Sequence, residues 1–163
     1  MIDTMPHLLG AIGLVMQLAI WHLNKRPQML TCAAVSFLFF AAQHFLLGAT
    51  VGAIMALLAA LRIFVALFTQ RLSAMFFFIA VMIGFGIWQY EHPVDLFAIA
   101  GGVMGTILYF MRELKTIRML GPVGGIFWGI HNFWVGAWMQ FLTDVLNLGS
   151  QSLAIWRYHI RKN

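Results

Sequence analysis

Two stretches of this chain set one aromatic ring and two hydrogen-bonding side chains at helical spacing. Phe40, Gln43 and His44 stand at i, i+3 and i+4, and so do Trp128, His131 and Asn132. That spacing gathers each trio on one face of a helix. A ring that can stack, with a few directed donors and acceptors, is what a small polar solute needs in place of its water. The competing reading is that these groups bond neighbouring helices to one another, each contact worth about 0.6 kcal/mol. A third stripe, Gln140, Asp144, Asn147 and Gln151, follows one helical face near the C-terminus. The candidate binding set is Gln43, His44, Trp128, His131, Asn132, Asp144 and Asn147, read as lining one continuous cavity that opens toward the outer face. Soluble-type catalysis is not indicated. The chain has no Gly-rich phosphate loop, no His/Cys metal spacing and no serine elbow, so neither an enzyme nor a bound cofactor or metal is expected.

The elements that must carry these residues are hydrophobic throughout. Of 163 residues 62% are hydrophobic and 9% charged, where a soluble domain carries about 25% charged residues. Too few charges remain to coat a water-facing surface, so the medium for this chain is largely lipid. Seven apolar runs, at about 8–23, 29–47, 50–69, 73–90, 95–111, 119–136 and 138–157, approach the roughly 20 residues that a bilayer requires. The breaks between them are short: Asn24–Gln28, Gly48-Ala49, Arg71, Glu91-His92-Pro93, Arg112–Arg118 and Gly136-Ala137. Breaks this short make consecutive helices antiparallel neighbours. Small residues recur at four-residue spacing (Gly48, Gly52, Ala56, Ala60; Gly101, Gly105; Gly121, Gly125, Gly129), the pattern of close helix packing in lipid. Pro122 is placed at the start of the sixth run, where it costs no hydrogen bond. Trp88, Trp134 and Trp138 read as outer interfacial anchors, Trp21 and Trp156 as inner ones, and Trp128 falls in mid-span.

Charge sets the orientation. Lys25, Arg26, Arg71, Arg112, Lys115, Arg118, Arg157, Arg161 and Lys162 all fall on one side of a seven-span arrangement, while Asp3, Glu91 and Asp95 fall on the other. Basic residues favour the cytoplasmic side, so the N-terminus is expected outside and the C-terminus in the cytoplasm. The pI near 10 is therefore read as topology and not as a nucleic-acid patch. Met1-Ile2-Asp3 lacks the basic start of a cleavable signal, so the first run is expected to remain as an anchor. The single Cys32 excludes an internal disulfide.

The chain also matches itself at an offset of 88. Gly13-Leu14-Val15-Met16 falls on Gly101-Gly102-Val103-Met104, and Gln43–Ala49 falls on His131–Ala137. Phe40, Gln43 and His44 are thus counterparts of Trp128, His131 and Asn132. The expected fold class is an all-α polytopic membrane protein: two parallel three-helix repeats, 8–69 and 95–157, joined by a linker helix at 73–90. Arg62, the one cation at buried depth, lies six positions from Asp144 by this repeat, about 9 Å of helical rise. A structural ion pair and a protonatable Asp144 used in coupling or gating both remain open for these residues.

This three-plus-one-plus-three layout resembles the SWEET and PQ-loop architecture shared by PnuC-type transporters. Gln43-His44-Phe45-Leu46-Leu47-Gly48-Ala49, with the Ala-rich run to Leu61-Arg62, is similar to the YgjV-type bacterial inner-membrane proteins. Unlike the PQ-loop pattern, Pro27-Gln28 begins the second run instead of lying inside the first, so no binding residue is transferred by resemblance. The expected activity is transport or binding of a small polar solute at a central site between the repeats, in a bacterial inner membrane. The alternative is a non-transporting accessory subunit of a membrane complex. Expected partners are the lipid bilayer, a small polar solute and a second copy or another membrane protein, with no nucleic acid.

Overall fold

The computed structural model describes residues 4–47, 50–88, 90–134 and 138–161. Seven α-helices occur among them: α1 (Met5–Ile20), α2 (Arg26–Leu46), α3 (Thr50–Phe68), α4 (Leu72–Trp88), α5 (Asp95–Phe110), α6 (Leu114–Trp134) and α7 (Trp138–Ile155). A π-helical turn, Trp156–Ile160, continues α7, and no strand occurs among the described residues. Proline marks two helix starts: Pro6 and Pro27 stand in the first turns of α1 and α2, where the missing N–H has no intrahelical partner to lose. Met111, in an extended conformation, ends α5.

The chain divides into two units, Met1–Phe68 and Thr69–Asn163. In the first, α2 packs against both α1 and α3. Its core is built from Ile20, Met29, Leu30 and Ile63, with a run of small side chains on α3: Ala53, Ala56, Ala59, Ala60 and Ala66. In the second, α4 packs on α5, α5 on α6 and α6 on α7. Phe78, Met82, Leu108, Tyr109, Phe110, Ile117 and Ala154 are buried there. Phe45, Phe68, Phe76, Phe77, Leu153 and many other large apolar side chains stand exposed, as expected of a chain whose outer surface meets lipid.

Helix lengths are less uniform than the apolar runs suggested. Among the described residues one helix, Arg26–Leu46, is both long and apolar enough to cross a membrane, while Met5–Ile20, Ala53–Phe68, Leu72–Trp88 and Asp95–Phe110 are apolar but shorter. The 16 residues of α1 reach about 24 Å, against a hydrocarbon core of about 30 Å. The fifth break is also shorter than expected. Helix α6 begins at Leu114, within the basic segment, because Leu114, Lys115 and Arg118 are good helix formers. Pro122 consequently lies inside α6 and not at its start. It cannot donate to the carbonyl four residues back, and Gly121, Gly124 and Gly125 surround it with small neighbours. Trp21 is a second correction: at 5% exposure it is a core residue, not an interfacial anchor. Trp88 and Trp134, at 75% and 73%, fit the anchor reading.

Candidate functional site

Five of the seven candidate residues fall in the second unit, on α6 and α7. Trp128 lies over Gly101 of α5, so close that a Cβ built there would stand 2.8 Å from the indole Nε1. The ring meets His131 edge-on, with centroids 6.0 Å apart. His131 Nε2 lies 3.2 Å from Asp95 Oδ1, which ties α6 to the first residue of α5. The other oxygen of Asp95 accepts from the backbone N–H groups of Glu91 and His92, at 2.9 and 2.8 Å. Three donors thus converge on this carboxylate, and in the neutral imidazole the bond to its oxygen makes Nε2 the protonated nitrogen. Nδ1, left as an acceptor, is buried and has no hydrogen-bond partner among the described residues.

One position further along α6, Asn132 Nδ2 donates to Asp144 Oδ2 of α7 at 2.7 Å. Gly129, one turn before, faces the same residue, and a Cβ built there would meet the Asp144 Cβ at an ordinary contact distance of 3.9 Å. Asn147 and Gln151 continue the face of α7. Gln151 is 2% exposed, its Oε1 lacks a hydrogen-bond partner among the described residues, and its amide nitrogen faces Gly125. The side chain of Gln140, the first residue of this stripe, lies outside the described residues, as do the turns Gly48-Ala49 and Gly136-Ala137.

Gln43 and His44 belong to the first unit, on α2, and make contacts of a different kind. Phe40 lies over Gly13 of α1, at 2.8 Å from a Cβ built there, and the Gln43 amide fills a notch over Gly10 in the same manner. His44 Nδ1 donates to the Phe40 carbonyl of its own helix at 2.7 Å. Arg62 is buried on α3, again in the first unit, whereas Asp144 belongs to the second.

Two polar contacts were not singled out from the sequence. Gln17 Nε2 donates to Ser36 Oγ at 2.9 Å, buried between α1 and α2, and Ser36 Oγ in turn donates to the Ala33 carbonyl at 2.7 Å. Asp95, read only as an outer acidic residue, is the partner of His131. A signal for Asp95 existed: it precedes an apolar run by one position and follows His92-Pro93, the setting of a carboxylate that organises a helix entry.

Comparison with known proteins adds the family. The model of the family described as bacterial inner membrane protein, Imp-YgjV, matches residues 4–162. Inner membrane protein YgjV of Escherichia coli (strain K12) is 34% identical over 93 residues, covering 57% of this chain and 51% of that protein. No solved structure matches the chain.

Proposed function

This chain belongs to the Imp-YgjV family of bacterial inner membrane proteins, and from that premise we propose that it binds a small polar solute in the polar layer of α5, α6 and α7 and moves it across the inner membrane. The observation that carries the proposal is His131: its Nε2 is committed to Asp95, while its Nδ1 is a buried acceptor with no protein donor among the described residues. An acceptor beside an indole edge, with the Asn132–Asp144 pair one residue away, offers a solute hydroxyl or N–H a directed bond and a ring to lie against. An acceptor left open suits a site for a solute better than a contact that only holds helices together.

The proposed frame is seven spans, N-terminus outside and C-terminus in the cytoplasm, arranged as two three-helix repeats with α4 between them. The charge asymmetry supports the orientation. The repeat is supported by Gly13 with Phe40 and Gly101 with Trp128, which stand at the same offset of 88 and make the same glycine-to-ring contact. Burial runs in parallel along the two stretches, with Ile20 and Leu108, Trp21 and Tyr109, Met29 and Ile117, and Ala66 and Ala154 all in the core. The chain works on its solute without covalent chemistry, and a second copy or another membrane protein is a proposed partner.

Thermal unfolding of the full chain in detergent, against a panel of sugars, amino acids and nucleosides, tests the site. A bound solute raises the midpoint of the wild type and of Trp134→Ala. His131→Ala weakens that solute by about tenfold, the loss of one hydrogen bond in a dry site. A panel that leaves the wild type unmoved, or a solute that stabilises His131→Ala equally, overturns the proposal.

A further inference from the structure

The π turn after α7 and the basic start of α6 build a second site in the same unit, at the opposite end of α6 from the polar layer. Arg118 is 3% exposed, with its guanidinium carbon 4.3 Å from the centre of the Tyr158 ring. Arg157 places its own guanidinium 5.4 Å from the same ring. The π closure, Arg161 N–H to the Trp156 carbonyl at 2.9 Å, also brings the Arg161 guanidinium to 5.6 Å over the Trp156 ring. His159 contributes a buried Nε2 that has no hydrogen-bond partner among the described residues. Burial first, then the Arg118 and Lys115 charges, hold its imidazole below the usual 6.5. In residues 112–120 and 154–161 the one acidic side chain is Glu113, which accepts from the Thr116 hydroxyl at 3.3 Å.

Orientation in the bilayer asks only that basic residues lie on one side. It does not ask that cations from two helices converge on one ring, nor that an imidazole be lodged among them with a nitrogen unfilled. The ring holds the guanidinium groups by attraction, but like charges gathered there repel and a buried nitrogen left unfilled costs desolvation, and an anion would relieve both. Guanidinium forks and an imidazole N–H suit a tetrahedral group with several oxygens. Exposed Leu153, Trp156 and Ile160 stand beside the cluster as apolar surface for acyl chains.

We propose that Lys115, Arg118, Arg157 and His159, braced by Tyr158, form a binding site for a phosphate group, supplied by the headgroup of an anionic phospholipid. Basic pockets at helix ends take such headgroups on the cytoplasmic side. The site depends on the seven-span orientation only for which leaflet supplies the lipid, and a C-terminal reporter fusion reads that orientation separately.

Native mass spectrometry of the full chain, delipidated and then given phosphatidylglycerol or phosphatidylethanolamine, measures the preference. The wild type and Lys25→Gln, a first-unit control, retain phosphatidylglycerol about fivefold better or more, and Arg157→Gln and His159→Gln each lose on the order of fivefold. Inorganic phosphate, followed at the His159 ring by NMR, separates the sources. If phosphate moves that signal while the two lipids bind equally, the site stands and its ligand is free phosphate. Equal retention of the two lipids together with an unmoved His159 signal overturns the proposal, as does full retention of phosphatidylglycerol by both Arg157→Gln and His159→Gln.

Discussion

The two three-helix stretches of the proposed repeat share their glycine-to-ring contacts and differ in where they place polar side chains. In the first unit the buried polar pair is Gln17 with Ser36, joining α1 to α2. Their counterparts 88 residues on are Gly105 and Gly124, which leave that position with no side chain to bond. In the second unit the polar contacts are His131 with Asp95 and Asn132 with Asp144. The counterparts of those four are Gln43, His7, His44 and Ala56. Asn132 stands eight residues beyond Gly124, so the hydrogen bonding has moved about 12 Å along the helix axis between one unit and the other. The glycine-to-ring contacts stay where they are. Close packing of backbones is thus the shared property, while polarity is free to be placed wherever one unit has use for it.

The sharpest test of the shared property is steric. Gly13→Leu and Gly101→Leu each push a side chain into a ring that a Cβ alone would meet at 2.8 Å. Each should lose about 1–3 kcal/mol of stability in detergent unfolding. Gly84→Leu, with nothing within 4 Å of its Cβ position, should lose little. A large difference between Gly13→Leu and Gly101→Leu would break the equivalence of the two units.

The next effect separates the polar pairs. Asn132→Ala strips Asp144 of a 2.7 Å donor in a low-dielectric setting and should cost about 1–2 kcal/mol. Gln17→Ala leaves Ser36 still bonded to the Ala33 carbonyl, so its cost should stay near 0.6 kcal/mol. The same unfolding measurement ranks them, and the reverse order would show that the second unit's contact is no stronger than ordinary helix-to-helix bonding.

The smallest effect is a pH dependence carried by His159 of the second unit. His159 has its folded-state pKa held below 6.5, so the unfolded chain binds a proton that the folded one does not. Stability is therefore full above pH 6.5 and falls as the pH drops below it. From pH 7 to pH 5.5 the unfolding midpoint of the wild type should fall relative to that of His159→Gln, and equal shifts in the two would remove His159 as the cause.

How much of this could be read from the residues alone depended on whether the information was local. Helix breaks at Pro27 and His92-Pro93 follow from backbone chemistry and fell close to where they were expected. The pairing of Trp128 with His131 rests on spacing within one helix and was legible for the same reason. The start of α6 was misplaced because a basic segment reads as a loop, although its residues are good helix formers. Trp21 was misread because indoles favour interfaces in general, and only packing shows that this one is enclosed. Asp95 was missed as a partner because its contact with His131 crosses 36 residues, and nothing local announces it.

Helix α6 bears the Arg118 cluster toward one end and Trp128, His131 and Asn132 toward the other, with Pro122 between them. A rod with one rung absent from its ladder is more compliant there than elsewhere, and the glycines beside Pro122 add no side-chain bracing. Torsional strain applied at one end is therefore attenuated before it arrives at the other. The residues proposed to grip an anion and those proposed to face a solute can share a single helix and still be mechanically insulated, each free to settle its own geometry.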